Sequence, residues 1–354
     1  KGKKVNKSKV SKILKNIKKN KLKAVKFYEN KYSNNRKIFP SKIEINNSIK
    51  SLDPKTKISI DFAFNRILKF HTLQNTKNVR YQDKYKNLIE YKKIPIQTVG
   101  IYVPANLPSS LMMNAIPAKI AGVKNIILAN PRIDGKLNPA VIYVAKKCGI
   151  KKILNIGGAQ AIGALAYILK VDKIVGPGND FVAAAKREVF GDVGIEGMVA
   201  GPSEVTVIAD NLSDLEKIAT SMIAQSEHGV NSQSILIAKN IKLVKAVKEK
   251  IKKIISSLPR KKIIEKSLRT NGLIILAKNN SKAIEAINII SPEHLEILTN
   301  QSNKLKNKIL NAGSVGIGRY SPVAASDYNV GTNHTLGTLG SSKFASGLNL
   351  NDFY

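Results

Sequence analysis

The chain has 354 residues, 43% of them hydrophobic, which suffices for two α/β domains with filled cores. Its single cysteine, Cys148, excludes a disulfide framework and a thiolate metal cluster and points to a reducing, cytoplasmic setting; no apolar run reaches the ~18 residues of a membrane span. The formal charge is +35, from 59 Lys and Arg against 24 Asp and Glu, which raises nucleic acid or a membrane surface as a partner.

Residues 1–98 read as a helical N-terminal region. Between Lys9 and Tyr28, Val10, Ile13, Leu14, Ile17, Leu22 and Val25 recur at mostly helical spacing, with lysines on the other face. Phe39-Pro40 and Asp53-Pro54 break that pattern. A second amphipathic helix is predicted from Ile58 through Phe64, Ile67 and Leu68 to Leu73. It carries His71, expected on a helix surface or edge. The start, Lys1-Gly2-Lys3-Lys4, has no apolar stretch behind it and is not a secretory signal, and the missing initiator Met suggests a trimmed amino terminus.

From Thr98 short β-branched strands alternate with helices. Strands are expected at Gly100–Val103, Asn125–Ala129, Lys152–Ile156 and Lys173–Val175, with helices near Ser109–Ala121, Pro139–Cys148 and Ala159–Leu169. Gly122 and Gly149 stand where helix C-caps belong. This order implies a parallel sheet with right-handed crossovers.

The alternation then restarts, with strands at Val205–Ala209, Ser234–Ala238, Leu273–Leu276, Leu295–Leu298 and Ser314–Ile317. Helices between them begin near Ser213, Ile241, Lys282 and Asn303, the first on the capping box Ser213-Asp214-Leu215-Glu216. The fold class is therefore α/β, with two Rossmann-like open-sheet units packed side by side and a helical N-terminal region. The expected divisions are 1–98, packing on the second unit; 99–203, the first unit; 204–322, the second; and 323–354, an irregular tail covering the site. Ligands of such sheets are expected beyond the carboxyl ends of the strands. No tandem repeat of fixed period is visible.

The charge follows these divisions. Residues 1–98 carry 27 basic against 6 acidic residues, residues 99–238 carry 13 against 11, and residues 239–354 carry 19 against 7. Only eight of the basic residues are Arg, the side chain that reads guanine edges and stacks on bases. No basic-aromatic interleaving builds a platform for single strands. Neither specific nucleic-acid binding nor membrane association is expected; weak, salt-sensitive adhesion to polyanions is. A basic polyanion-binding protein remains a competing reading of residues 1–98.

Six motifs carry chemistry. Ile156-Gly157-Gly158-Ala159-Gln160-Ala161-Ile162 stands where a strand turns into a helix, and Val175-Gly176-Pro177-Gly178-Asn179 repeats that placement one strand later. Glycines there let the backbone approach a phosphate at a positive helix N-terminus. Neither is G-x-G-x-x-G, so each taken alone reads first as a tight βα turn; two in consecutive units point to a dinucleotide crevice. Ala200-Gly201-Pro202-Ser203-Glu204 leads into the second unit, where Ser203 either donates to a substrate or serves the turn.

Gln225-Ser226-Glu227-His228-Gly229 ends the helix begun at Ser213, and its Gln and His are three apart on one face. The negative pole of a helix end favours a cation, although Gln is an uncommon ligand, so capping or packing stays open beside a metal. Ser291-Pro292-Glu293-His294-Leu295-Glu296 sets Glu293 beside His294 just before a strand. Neighbours in extended chain point to opposite faces, which suits two separate steps better than one dyad, and His is the usual proton shuttle. In Asp327-Tyr328-Asn329-Val330-Gly331-Thr332-Asn333-His334, the Asp and the His belong either to a surface loop or to a lid. Three of the four His fall inside such polar, Gly-flanked motifs, which favours one shared site.

Taken in order, these segments resemble histidinol dehydrogenase, from about Thr98 to Phe353. The resemblance rests on Asn114–Ile126, Ile156–Tyr167, Val171–Asn179, Ala200–Glu204, Gln225–Gly229, Ser291–Ile297 and Asp327–His334. It implies oxidation of L-histidinol through L-histidinaldehyde to L-histidine, with two NAD used in succession at one site of a homodimer. It implies His294 as the base for the alcohol proton and Glu293 as the group activating water. By the same resemblance Gln225, His228 and Asp327 are zinc ligands, the ion holding the substrate as a template. Ser203 and His334 correspond to substrate contacts, as do Gln225, His228, His294 and Asp327, and Tyr102, Gln160 and Asn179 to NAD contacts. The metal set is expected around one point, with His294 facing it across the cleft between the two lobes.

Three departures stand out. Only Ala105-Asn106-Leu107 separates Pro104 from Pro108, where the family has a double glycine and more residues. A short segment after the Ile156–Tyr167 helix is missing. The family also continues into a helical tail bearing a substrate-binding Glu and a fourth zinc ligand, a His, whereas this sequence stops at Tyr354. A cut chain, a reduced enzyme and an inactive homologue are the three readings of that ending.

Overall fold

The computed structural model describes residues 7–75, 77–196, 201–210 and 214–354. They divide into two compact units: the described residues of 4–198 with 329–335 and 348–354, and those of 199–328 with 336–347.

The first unit opens with α1 (Lys7–Ser33), α2 (Lys42–Lys50), α3 (Pro54–Thr72) and a hairpin of β1 (Val79–Gln82) and β2 (Leu88–Tyr91). There follow β3 (Thr98–Tyr102), α4 (Pro108–Ala121), β4 (Asn125–Ala129), α5 (Pro139–Lys147), β5 (Lys152–Leu154), α6 (Gly158–Tyr167), β6 (Lys173–Val175), α7 (Asp180–Val189) and β7 (Gly194–Ile195). The five strands β3–β7 are parallel, in the order β5-β4-β3-β6-β7. One face of this sheet is covered by α3, α4 and α5 together with Leu348, Leu350 and Phe353 from the tail. The other is covered by α6, α7 and α1.

The apolar face of α1 behaves as its spacing predicts, with Val10, Ile13, Leu14 and Ile17 all buried. Lys21, in the left-handed region at φ 51°, kinks the helix before Leu22. The face lies on α6, where Leu14 and Ile17 close over Gly163. The described residues of 1–98 fall within the first unit, and the face of α1 is covered there by α6: amphipathicity announces that a face will be covered, not by what. The hairpin is a departure in this region. Its turn is held by Asp83, whose carboxylate accepts from Tyr85 N at 2.8 Å and Asn87 N at 2.9 Å.

The second unit comprises β8 (Glu204–Ala209), α8 (Leu215–Ser226), β9 (Gln233–Ala238), α9 (Ile241–Ile255), α10 (Lys261–Asn271), β10 (Leu273–Leu276), α11 (Asn280–Ile290), β11 (His294–Leu298), α12 (Ser302–Lys306), β12 (Ser314–Ile317) and α13 (Val323–Tyr328). Its parallel sheet runs β10-β9-β8-β11-β12. Numbered within each unit, both sheets have the strand order 3-2-1-4-5, a repeat of topology that no sequence period announces. Asp214 caps α8, accepting from Lys217 N at 3.4 Å; Ser213, the expected cap, lies outside the described residues, as does Ala200. The tail is less irregular than expected, with α13 and 3-10 turns at Ser341–Lys343 and Leu350–Phe353. Among the described residues no helix is long and apolar enough to cross a membrane.

Candidate active site

In the second unit the chemistry gathers at the amino ends of β8 and β11, not at the carboxyl ends where ligands of such sheets were expected. Glu204 opens β8 and His294 opens β11 directly beside it, paired with Val205. Ser291 leaves α11 in the left-handed conformation (φ 51°), a costly state for a residue other than glycine, and Pro292 and Glu293 then bend into the strand. A Cβ on Gly313 would collide with the carbonyl of Glu293, so this bend needs glycine as its neighbour.

The bend changes the geometry expected of adjacent residues. Glu293 and His294 do not point apart: Oε1 of the Glu lies 3.9 Å from Nε2 of the His. The same nitrogen is 4.0 Å from Oδ1 of Asp327 in α13. Glu293 Oε2 accepts from the Glu204 backbone N–H at 2.7 Å, which fixes the carboxyl against β8. All three site residues are buried. Burial pushes the Glu293 carboxyl up to about 8, against the Glu204 hydrogen bond and with help from the charges of Glu204 and Asp327. Burial likewise lifts Asp327 to about 7. An imidazole beside two buried carboxyls that hold their protons above the usual range is equipment for moving protons.

Gln225 stands in the last turn of α8 and His228 two residues beyond its end, with the His228 N–H on the Gln225 carbonyl at 3.3 Å. Asp327 approaches from α13, whose Tyr328 feels the charges of both Asp327 and Glu227. Gln225, His228, Asp327 and His294 therefore all belong to one unit, which corrects the expectation of a metal set and a base facing each other from different lobes. Among the described residues no three His, Cys, Asp or Glu side chains gather tightly enough to hold an ion, so an ion here would need the Gln225 amide. The donors suit one. The Gln225 amide is buried with Nε2 left without a hydrogen-bond partner, and a half-turn of that amide sets its oxygen, the ligating atom, in the same place. His228 keeps an exposed face, yet desolvation lowers its pKa and favours the neutral, ligating imidazole. The desolvated Asp327 carboxyl is one that a cation would return to its charged form. Ser203 precedes β8, its carbonyl accepting from Gln233 N at 3.0 Å.

In the first unit the strand order reverses between β3 and β6, and there Tyr102 ends β3. Its hydroxyl lies 3.4 Å from Gly158 N, on the turn into α6, while its backbone lies against Gly176 on the turn after β6. Asn179 ends that second turn as the N-cap of α7, its Oδ1 accepting from Phe181 N and Val182 N at 3.1 Å each. Lys186, fully buried, donates to the Gly176 carbonyl and braces the same turn. One expectation changes here. The start of α6 is already supplied with an anion: Glu29 of α1, fully buried, accepts from Gly157 N at 3.3 Å and from Gln160 Nε2 at 2.9 Å. The Glu29 carboxyl thus takes up one of the backbone donors that a phosphate at the start of α6 would meet.

The histidinol dehydrogenase family model matches residues 1–354. The histidinol dehydrogenase of Pelagibacter ubique is 51% identical over 352 residues, 98% of this chain and 82% of that protein. That of Bacillus subtilis is 41% identical over 97% of this chain and 83% of its own length. The chain belongs to the histidinol dehydrogenase family. The crystal structure of the histidinol dehydrogenase from Elizabethkingia anophelis superposes with a TM-score of 0.94 at 36% identity, covering 100% of this chain and 84% of that one.

As a histidinol dehydrogenase family member the chain is an oxidoreductase, and its fold explains several residues that sequence reasoning missed. His71 is fully buried, not a surface decoration. Its Nδ1 lies 2.7 Å from Gln74 Oε1, and its Nε2 lies 3.1 Å from Nδ2 of Asn333, the neighbour of His334. Asn333 in turn donates to the Met113 carbonyl at 2.6 Å, so residues 329–335, which bear half-buried His334, are tied to α3 and α4 within the first unit. Glu29, Glu204 and Glu296 were equally unforeseen: only Glu296 carries a signal, a carboxylate between apolar neighbours, and it names no partner.

Proposed function

We propose that the chain oxidises L-histidinol through L-histidinaldehyde to L-histidine, delivering two hydrides in succession to NAD. The observation that carries this reading is the buried cluster in which His294 Nε2 stands 3.9 Å from Glu293 and 4.0 Å from Asp327. When bound, NAD supplies the hydride acceptor, and zinc a fixed point for the substrate's imidazole and amine.

In the first half-reaction His294 removes the hydroxyl proton as the carbinol hydride leaves, producing the aldehyde. In the second, Glu293 takes a proton from the water that adds to the aldehyde carbon, and the hydrate loses its hydride to give the acid. The backbone N–H of Glu204 keeps the Glu293 carboxyl aimed during both. Gln225, His228 and Asp327 would hold the ion, Ser203 and His334 would contact substrate, and Tyr102, Gln160 and Asn179 would contact NAD. A cytoplasmic homodimer is the setting of this reading, without nucleic acid or membrane.

The test is direct. The purified chain, given L-histidinol and NAD, should generate NADH, and His294→Ala should generate none. Absence of NADH from both histidinol and histidinaldehyde would overturn the reading.

A further inference from the structure

We propose that Glu296 is a positioning residue that locks α8, β11 and α13 into one register, and thereby sets Gln225, His294 and Asp327 relative to one another. The inference rests on the proposed function for the roles of those three residues, but its geometry stands apart from it. Glu296 is 1% exposed, in mid β11. Its Oε2 accepts from Ser221 Oγ of α8 at 2.6 Å. Its Oε1 accepts from the backbone N–H of Val323, the first residue of α13, at 2.7 Å.

Each contact lies one structural repeat from a site residue. Ser221 and Gln225 are four apart on α8, Val323 and Asp327 four apart on α13, and His294 two before Glu296 on β11. Residues at i and i+4 share a helix face, and residues at i and i+2 share a strand face. A single carboxylate therefore joins three elements on the sides that carry the site. The link matters most for α13, which at six residues is too short to stand as a helix unaided. Its first N–H groups have no intrahelical partner, and Glu296 satisfies one of them. An apolar residue of similar volume could fill the space but would hold neither Ser221 nor Val323.

Three variants of the chain, stripped of metal with a chelator, separate this role from simple packing. Glu296→Gln can still accept from Val323 and can donate to the Ser221 hydroxyl. It should bind Zn2+ within about threefold of the unaltered chain, because both contacts survive. Glu296→Leu removes both contacts and should weaken Zn2+ by about 10–100-fold, the usual effect of losing a group that orients a ligand. Without metal, its backbone amides should exchange faster over residues 222–228 and 323–328, with β8 and β9 unchanged. Ser221→Ala should free only residues 222–228, and should weaken Zn2+ by about tenfold.

Zn2+ affinity is read by competition with a chromophoric chelator, exchange by mass spectrometry, and folding by thermal melting. Should Glu296→Leu not fold, Ser221→Ala decides. A folded Glu296→Leu or Ser221→Ala with unchanged exchange overturns the proposal, as does a lower melting temperature at unchanged Zn2+ affinity. A Glu296→Gln as impaired as Glu296→Leu also overturns it. If the unaltered chain binds no Zn2+, the metal part of the proposed function fails, and the exchange pattern alone judges Glu296.

Discussion

The main-chain carbonyl of Tyr102 fills the space that a Cβ on Gly176 would need. The two residues end β3 and follow β6, the neighbouring strands between which the sheet order reverses, so the close approach sets the crevice expected to take NAD. Gly176 also has φ +103°, a conformation that side chains resist. Gly176→Ala is opposed by both the carbonyl and the backbone angle, and should cost about 2–4 kcal/mol. The KM for NAD should rise more than kcat falls. Thermal melting and an NAD titration check this; an unchanged melting temperature would show that the turn yields.

A second expectation concerns Glu293. If it activates water only for the aldehyde step, Glu293→Gln should still oxidise the alcohol, and NADH per histidinol should drop from two toward one. Its carboxyl titrates near 8, so the carboxylate that accepts a proton grows in as pH rises through that value. The second oxidation should therefore accelerate with pH in the unaltered chain and stay flat in the variant. The sign for stability is opposite. The folded state keeps this proton above the ordinary carboxyl range while the unfolded chain releases it, so metal-free stability falls between about pH 4.5 and 8. Stopped reactions assayed for aldehyde, and melts across that range, test both halves.

The sheets were legible because their strands are β-branched runs closed by turn residues: β4, β6, β10 and β12 fall where the sequence puts them. β7, with two residues, offers no pattern to read. Burial of His71 was invisible for another reason, since it depends on Asn333, 262 positions away. The same holds for Glu296, whose two partners lie 75 residues before and 27 after it. Local spacing announces that Gln225 and His228 share a face; it does not announce that the strand beside them presents its amino end. The bend at Pro292 likewise turned two adjacent residues toward each other, against the alternation a regular strand imposes.

His71 gives a stability test independent of catalysis. Its two ring nitrogens bridge Gln74 and Asn333, and burial lowers its pKa. His71→Phe should cost about 1–3 kcal/mol, from the unsatisfied partners it leaves. The unfolded chain takes up a proton at this His before the folded one does, so the unaltered protein loses stability as pH falls below the ordinary imidazole value of 6.5. That part of the acid loss should vanish in the variant. Denaturant melts at pH 5 to 7.5 measure it, and parallel slopes for the two proteins would place the proton elsewhere.

Glu29 ties α1 to the start of α6 through two donors, Gly157 N and Gln160 Nε2. Glu29→Ala would strand the Gly157 N–H and the Gln160 amide, both buried, and would leave the α6 dipole without its counter-charge. Each unmade hydrogen bond costs about 1–3 kcal/mol and the dipole about 0.5–1 kcal/mol, so the variant should melt well below the parent. Glu29→Gln keeps one acceptor and the same volume, and should recover more than half of that loss. Release of Gln160, an expected NAD contact, should raise the KM for NAD in Glu29→Ala and much less in Glu29→Gln, with kcat at saturating NAD nearly preserved. Equal KM values in parent and variants would mean that Gln160 holds α6 on α1 and takes no part in binding the dinucleotide.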